Sequence, residues 1–195
     1  MSLTDQDEAL ISAALEGSAR AWERLVRRYE GRVYNFALRM TGNETEALDL
    51  MQEVFLGVYR NLQRFRGDSQ FTTWLFRIAH NKAVDMNRRK YLLTPLASLG
   101  GAEQTEDEVL EQLHDETQEQ NPLTLLDTEQ RNAGVMKLLN RLSWDQRLVV
   151  ELKVFQSCTF EEIAEMQDIS ANTAKTRFYT AMKLLKTQME QTHVV

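Results

Sequence analysis

Cysteine occurs once, at Cys158, so an internal disulfide has no second partner and a reducing cytoplasm is the expected compartment. Proline occurs twice and glycine eight times in 195 residues, which leaves few obligatory chain breaks. No apolar run approaches the ~20 residues a membrane span needs, so no membrane insertion is expected. The opening MSLTDQDEAL carries acids and no bases, unlike the basic start of a secretory leader. His80, His114 and His193 lie far apart, and there is no H-E-x-x-H, cysteine pair, glycine-rich phosphate loop or serine nucleophile motif. These absences speak against an enzyme, and no cofactor, metal or small-molecule substrate is expected. His80 reads as a helix-surface or packing residue. A redox role for Cys158 would require an exposed thiol of lowered pKa.

What is abundant is Leu, Ala, Glu, Gln and Arg, the composition of an all-α protein. The net charge of −6 is unevenly spread. Residues 1–19 hold four acids and no base, and residues 20–90 hold 14 bases against 8 acids. Residues 91–130 hold ten acids and no base, and residues 131–195 hold nine bases against seven acids. Two basic segments therefore flank an acidic connector. Screening confines each charge to ~10 Å at moderate salt, so phosphate binding follows the local balance rather than the total.

Apolar spacing predicts a short helix over 5–16 ended by Gly17, then a long helix capped by Ser18. That long helix has Trp22, Leu25, Val26, Tyr29, Val33, Phe36, Ala37 and Met40 on one face. Gly31, inside it, suggests a kink or a close contact. A third helix is expected at about 44–63, opened by Asn43 with Glu46 in a capping-box spacing, and a fourth at about 70–90. Residues 92–122 lose the periodicity and read as a flexible acidic linker. Helical patterning returns from Leu123, and Ser143 is placed to cap a helix starting at Trp144. Leu148, Val149, Leu152 and Val154 form its expected apolar stripe. The predicted architecture is two small helical domains on a tether, with boundaries 1–91, 92–122 and 123–195.

The stretch Thr159–Leu185, TFEEIAEMQDISANTAKTRFYTAMKLL, reads as two helices joined by a turn. Thr159 and Glu162 form a capping box, and Ser170 caps the second helix. Asp168 stands at the turn where glycine is usual, and it tolerates a left-handed backbone better than most residues. Ala174, Phe178, Ala181 and Leu185 follow the buried side. Asn172, Lys175, Thr176 and Tyr179 point outward, as reading base edges in a major groove requires. A helical hairpin with a solvated outer face would show the same periodicity.

Several words in order narrow the choice: AWERLVRRY at 21–29, EALDLMQEVFLGVYRNL at 46–62, and FRGDSQFTTWLFRIAHNKAVD at 65–85. To these add LSWDQRLVVELKVFQSCTFEEIAEMQDISANTAKTRF in the C-terminal part. The first three resemble region 2, and the last region 4, of the extracytoplasmic-function sigma factors. The likeness spans nearly everything but the linker. It implies a sigma region 2 helical bundle and a sigma region 4 helix-turn-helix. It also implies a non-catalytic initiation factor that brings core RNA polymerase to a promoter and opens the DNA. Implied partners are the β′ coiled coil and β flap of core polymerase, promoter DNA and an anti-sigma factor.

The resemblance assigns core-polymerase binding to Asp49, Gln52, Glu53 and Leu56, although any D-x-x-Q-E on a helix is also a solvated face. It assigns minus-ten recognition and melting to the loop Phe65, Arg66, Gly67, Asp68 and to Arg77, Asn81, Lys82, Arg88 and Arg89. Asn81 is the leading base contact, since it carries both a donor and an acceptor. Phe65 or Phe71 is expected to wall the base pocket, and Trp74 belongs to that wall or to the core. Minus-thirty-five recognition falls to Ser170, Asn172, Thr173, Lys175, Thr176, Arg177 and Tyr179. Against the family pattern, Ala174 is small, Thr180 replaces a common Arg, Ser143 a usual Pro and Ser157 a usual Gly. The connector has two readings: a spacer, or an acidic mimic of nucleic acid in the polymerase channels. Two other classes remain open on the residues alone. One is a helix-turn-helix regulator with an N-terminal helical sensor; the other is an adaptor that only docks on polymerase.

Overall fold

The computed structural model describes residues 3–93 and 134–192. Nearly all of the expected connector, the start of the helical pattern at Leu123, and His114 and His193 lie outside the described residues. No helix among the described residues is long and apolar enough to cross a membrane.

Four helices build the first module: α1 (Leu3–Leu15), α2 (Ala19–Thr41), α3 (Glu44–Asn61) and α4 (Phe71–Leu93). The breaks between them are local and chemical. Gly17 takes φ 93°, Ser18 Oγ accepts from Ala21 N at 3.3 Å, and Gly42 closes α2 at φ 69°. Asn43 Oδ1 accepts from Glu46 N at 3.0 Å, but the Glu46 carboxylate pairs with Lys90 instead of completing a capping box. The apolar faces meet in one core that includes Leu25, Val33 and Phe36 from α2, Leu50, Val54 and Val58 from α3, and Leu75 and Phe76 from α4. Each such side chain contributes ~1.5–3 kcal/mol by leaving water. The close helix contact lies at Gly57, where a Cβ would come 3.0 Å from Ile78 Cγ2. Gly31, expected to mark a kink or contact, sits in an unbroken α2 with nothing within 4 Å of a built Cβ.

The second module holds α5 (134–140), α6 (Trp144–Val150), α7 (Phe160–Gln167) and α8 (Ala171–Thr192). Ser143 with Gln146, and Thr159 with Glu162, form reciprocal capping boxes. Between α6 and α7 the chain widens into a π-helical turn, Glu151–Phe155. Val154, expected in the apolar stripe, is 51% exposed: two positions past the buried Leu152, it stands across the helix from that stripe. Ser157 then takes φ 59°, which explains why glycine suits this position.

The two modules pack against each other. Arg39 on α2 donates from Nε and Nη2 to the Glu151 carboxylate at 2.5 and 2.9 Å, across 112 residues of sequence. Its guanidinium lies 4.0 Å over the Phe155 ring. Arg32 donates to Gln156 Oε1 at 2.9 Å, and Gln156 Nε2 donates to Glu151 at 2.9 Å. Glu151 is 0% exposed, and Leu148, Leu152 and Ile163 share one buried cluster with the first module's core.

Candidate nucleic-acid interface

A cleft of about 290 Å³ opens between the end of α3 and the middle of α4. Its wall is Asn61, Arg64, Trp74, Ile78, Asn81, Lys82 and Asp85, with Gly57 at its floor. The periodicity explains the set: positions 74, 78, 81 and 85 fall on one face of α4. Trp74 therefore belongs to the cleft wall while its ring also packs 5.4 Å from Phe65. Phe71, named as a possible wall, is 5% exposed and sits in the core. Asn81 is exposed, and its Oδ1 lies 3.0 Å from His80 Nδ1. The imidazole tautomer sets which of the two donates, and the contact ties the Asn81 amide to the helix beneath it. Burial holds the His80 imidazole below its ordinary pKa, partly opposed by the Asn81 contact. Asn61 Nδ2 is tied to Gly57 O at 2.8 Å, which fixes its orientation at the rim. Asn61 and Arg64 were not singled out from sequence, whereas His80, read as a helix-surface or packing residue, is buried. Only the packing of α3 on α4 brings in Asn61 and Arg64.

The loop before α4 is outside this wall. Gly67 takes φ 79°, Arg66 and Asp68 are exposed, and Phe65 packs on Phe71 and Trp74. The expected phosphate-binding cations are partly engaged. Lys82 Nζ contacts Glu53 at 2.9 Å, and that bond, then the Lys82 charge, hold the Glu53 carboxyl below its usual pKa. Arg77 pairs with Glu165 of α7 at 2.8 Å, and Thr73 Oγ1 donates to Glu162 Oε1 at 3.0 Å. Arg88 and Arg89 are exposed near the end of α4.

Asp49, Gln52, Glu53 and Leu56 share the outer side of α3 and are all exposed. Beside them Leu48 is 51% and Tyr59 65% exposed, and Tyr59 meets Trp22 edge-on at 5.1 Å. These two apolar side chains extend the patch. Their signal in the sequence was a hydrophobic residue standing outside the buried stripe. An exposed apolar strip rimmed by carboxylates suits a partner of basic and apolar character.

In the second module, α7 ends at Asp168 in the left-handed region, φ 53° and ψ 46°. Ser170 Oγ accepts from Thr173 N at 3.0 Å to start α8. Ala174 and Ala181 are fully buried, while Asn172, Thr173, Lys175, Thr176 and Tyr179 are exposed along the outer face. Arg177 is drawn off that face: its guanidinium contacts Asp145 at 3.0 Å and Gln167 at 3.2 Å. Cys158 is 2% exposed, and burial raises its thiol pKa to about 11, so it lacks the reactive-thiol features a redox role needs. Behind α8 an apolar groove of about 430 Å³ runs past Leu138, Val150, Val154, Met182, Leu185 and Met189.

The family model Sigma-70 region 2 matches residues 25–91, and Sigma-70 region 4 matches residues 133–185. The RNA polymerase sigma-H factor of Pseudomonas aeruginosa is 30% identical over 193 residues, 95% of this chain and 94% of that protein. The ECF RNA polymerase sigma-E factor of Escherichia coli K12 is 29% identical over 184 residues, 94% of each. The solved structure of CnrH in complex with the cytosolic domain of CnrY aligns at a TM-score of 0.63 and 25% identity, covering 96% of this chain and 99% of that one. The sigma factor RpoE of Bartonella quintana, solved with the anti-sigma factor NepR, aligns at 0.62 and 20% identity over 88% and 98%, a likeness of fold.

Proposed function

The chain belongs to the sigma-70 family, in its extracytoplasmic-function branch, and from that premise we propose that it directs core RNA polymerase to promoters and opens the DNA there. The observation that carries the reading is the cleft between α3 and α4. It offers an aromatic wall (Trp74), two oriented amides (Asn61 and Asn81) and flanking cations, the features a base leaving its stack requires. Unstacking costs a few kcal/mol, and stacking on Trp74 with hydrogen bonds from Asn81 offsets it. The loop Phe65–Asp68 covers the base's approach, and Arg77, Lys82, Arg88 and Arg89 follow the strand's phosphates. Lys82 and Arg77 must first exchange Glu53 and Glu165 for phosphate.

The other roles follow from the two remaining faces. Asp49, Gln52, Glu53 and Leu56, with Leu48 and Tyr59, take the β′ coiled coil of the polymerase. Asn172, Thr173, Lys175, Thr176 and Tyr179 read the minus-thirty-five element, while Ser170 and Arg177 set the position of α8. The apolar groove behind α8 suits an amphipathic helix and is assigned to the β flap. The modules are taken as 1–91 and 123–195, with the acidic segment 92–122 between them. No covalent bond is made or broken by the chain itself, which works in the cytoplasm where polymerase is. A free basic reading surface also calls for a masking anti-sigma factor.

The test is transcription from a supercoiled promoter with purified core polymerase and no other specificity subunit. Asn81→Ala should lower open-complex formation by roughly five- to a hundredfold, at the ~1–3 kcal/mol cost of a lost base contact, with polymerase affinity nearly unchanged. Absence of promoter-specific transcripts from the unaltered chain overturns the function; unchanged opening by Asn81→Ala overturns the base-contact assignment.

A further inference from the structure

The accessible sulfur of the chain is gathered in one place. Of its eight methionines, Met1 lies outside the described residues, Met40 and Met166 are buried, and Met51, Met86 and Met136 are half-buried. Met182 and Met189 are the exposed ones among the described residues, at 40% and 52%, and both line the groove behind α8. Seven positions apart on α8, they stand two turns from each other on one face, with Leu185 between them. The single thiol does not compete with them. Cys158 is 2% exposed, and burial raises its pKa to about 11.

Apart from Lys186 and Glu190, every residue lining the groove is apolar. Those two pair with each other at 3.8 Å. Methionine suits such a wall, because its unbranched, polarisable side chain follows the shape of an incoming helix. Its thioether is also the group on that wall that peroxides oxidise. A sulfoxide converts the same sulfur into a polar, hydrogen-bond-accepting centre. In the free chain water solvates the new oxygen. Beneath a docked apolar helix that oxygen is shut away without a donor, and burying an unpaired acceptor opposes docking. The strip on α3 that offers the other polymerase contact, Leu48, Leu56 and Tyr59 with Asp49, Gln52 and Glu53, contains no sulfur.

We propose that Met182 and Met189 are modification sites that accept an oxygen atom from a hydroperoxide, and that their sulfoxides close the α8 groove to polymerase. The inference rests on the assignment of that groove to the polymerase. A sulfur lone pair attacks the outer peroxide oxygen, the S–O bond forms and the O–O bond breaks. Sulfur gives up two electrons and the peroxide takes them. The leaving oxygen gains a proton and departs as water or an alcohol. Two thiols of a methionine sulfoxide reductase reverse the step, joining as a disulfide while the oxygen leaves as water. Oxidation thus weakens one polymerase dock and leaves the α3 strip and the assigned DNA residues unaltered.

The experiment treats the full chain with hydrogen peroxide, locates the sulfoxides by peptide mass spectrometry and titrates the product with purified core polymerase. Met182 and Met189 should gain oxygen ahead of Met40 and Met166, with the helical circular dichroism signal unchanged. The doubly oxidised chain should bind polymerase roughly tenfold more weakly, a factor equal to about 1.4 kcal/mol. Reductase treatment should restore the affinity. The variant carrying Met182→Leu and Met189→Leu is compared with itself before and after peroxide, and its affinity should not change between the two, whatever its starting value. Four results overturn the inference: buried methionines oxidised first, unchanged affinity of the doubly oxidised chain, an equal loss in the double leucine variant, or a loss that accompanies loss of helix. The unoxidised chain is assayed alongside for polymerase binding and promoter transcripts. Normal transcripts from it, together with an affinity that peroxide leaves untouched, sink only this inference. Failure of the unoxidised chain to bind or to yield transcripts sinks the functional reading, and this inference with it.

Discussion

Replacing Arg39 with alanine removes both strong donors from a carboxylate that has no contact with water. Glu151 then retains one neutral hydrogen bond, from Gln156 Nε2 at 2.9 Å. Breaking a buried pair from one side costs ~3–5 kcal/mol, because the remaining charge stays desolvated. Loss of the guanidinium over Phe155 adds up to ~2 kcal/mol. Against a typical stability of ~5–15 kcal/mol this is a large fraction. The chain has one escape: separating the modules hydrates Glu151, so the measured loss is capped at the free energy of closure. Urea unfolding followed by circular dichroism distinguishes the two outcomes. If closure is strong, the single transition shifts to lower urea by the full amount. If it is weaker, the transition splits as each module unfolds alone. Arg39→Met with Glu151→Leu should recover most of the loss, since an apolar pair of similar volume leaves no buried charge. A loss below ~1 kcal/mol for Arg39→Ala, with the transition still single, would refute the claim that this pair is buried between the modules.

Two further substitutions probe the site's supports. Ser157→Gly should stabilise the chain by ~1 kcal/mol in the same urea assay, because φ 59° strains a residue with a Cβ; destabilisation would contradict the left-handed turn. His80 is held below its ordinary pKa by burial, so the unfolded chain binds the extra proton first as pH falls. Its contribution is complete above ~6.5 and is lost as pH drops below that value, by up to ~1.4 kcal/mol per unit, until the folded-state pKa is reached. His80→Gln should flatten the difference in urea midpoint between pH 8 and pH 5.5; an unchanged difference would place that pH dependence elsewhere.

The parts of the chain that were legible beforehand are those settled within one helical turn. Thr159 with Glu162, Ser143 as the cap of α6, and Asn43 with the Glu46 amide are local contacts, and the spacing alone brings donor to acceptor. The buried stripes of α2 and α8 were legible for the same reason. The failures share an opposite cause. Val154 is an exception, since two positions past Leu152 it already falls across the helix from the buried stripe. Gly31 and Gly57 look alike in sequence, and only the crossing of α3 with α4 makes Gly57 the close contact. Lys82 and Arg177 read as exposed cations, and their carboxylate partners come from other elements.

By itself, then, the order of residues determined the helices, their caps, the two basic modules with acid between them and the family to which they belong, since each depends on neighbours a few positions apart or on motifs in sequence. The tertiary structure alone decided that Asn61, Trp74 and Asn81 line one cleft, that Glu151 is shut away beneath Arg39, and that the carboxylates of α7 meet Thr73 and Arg77 on α4. Those relations join residues as many as 112 positions apart, and helical periodicity says which side of a helix is apolar but nothing of what will cover it.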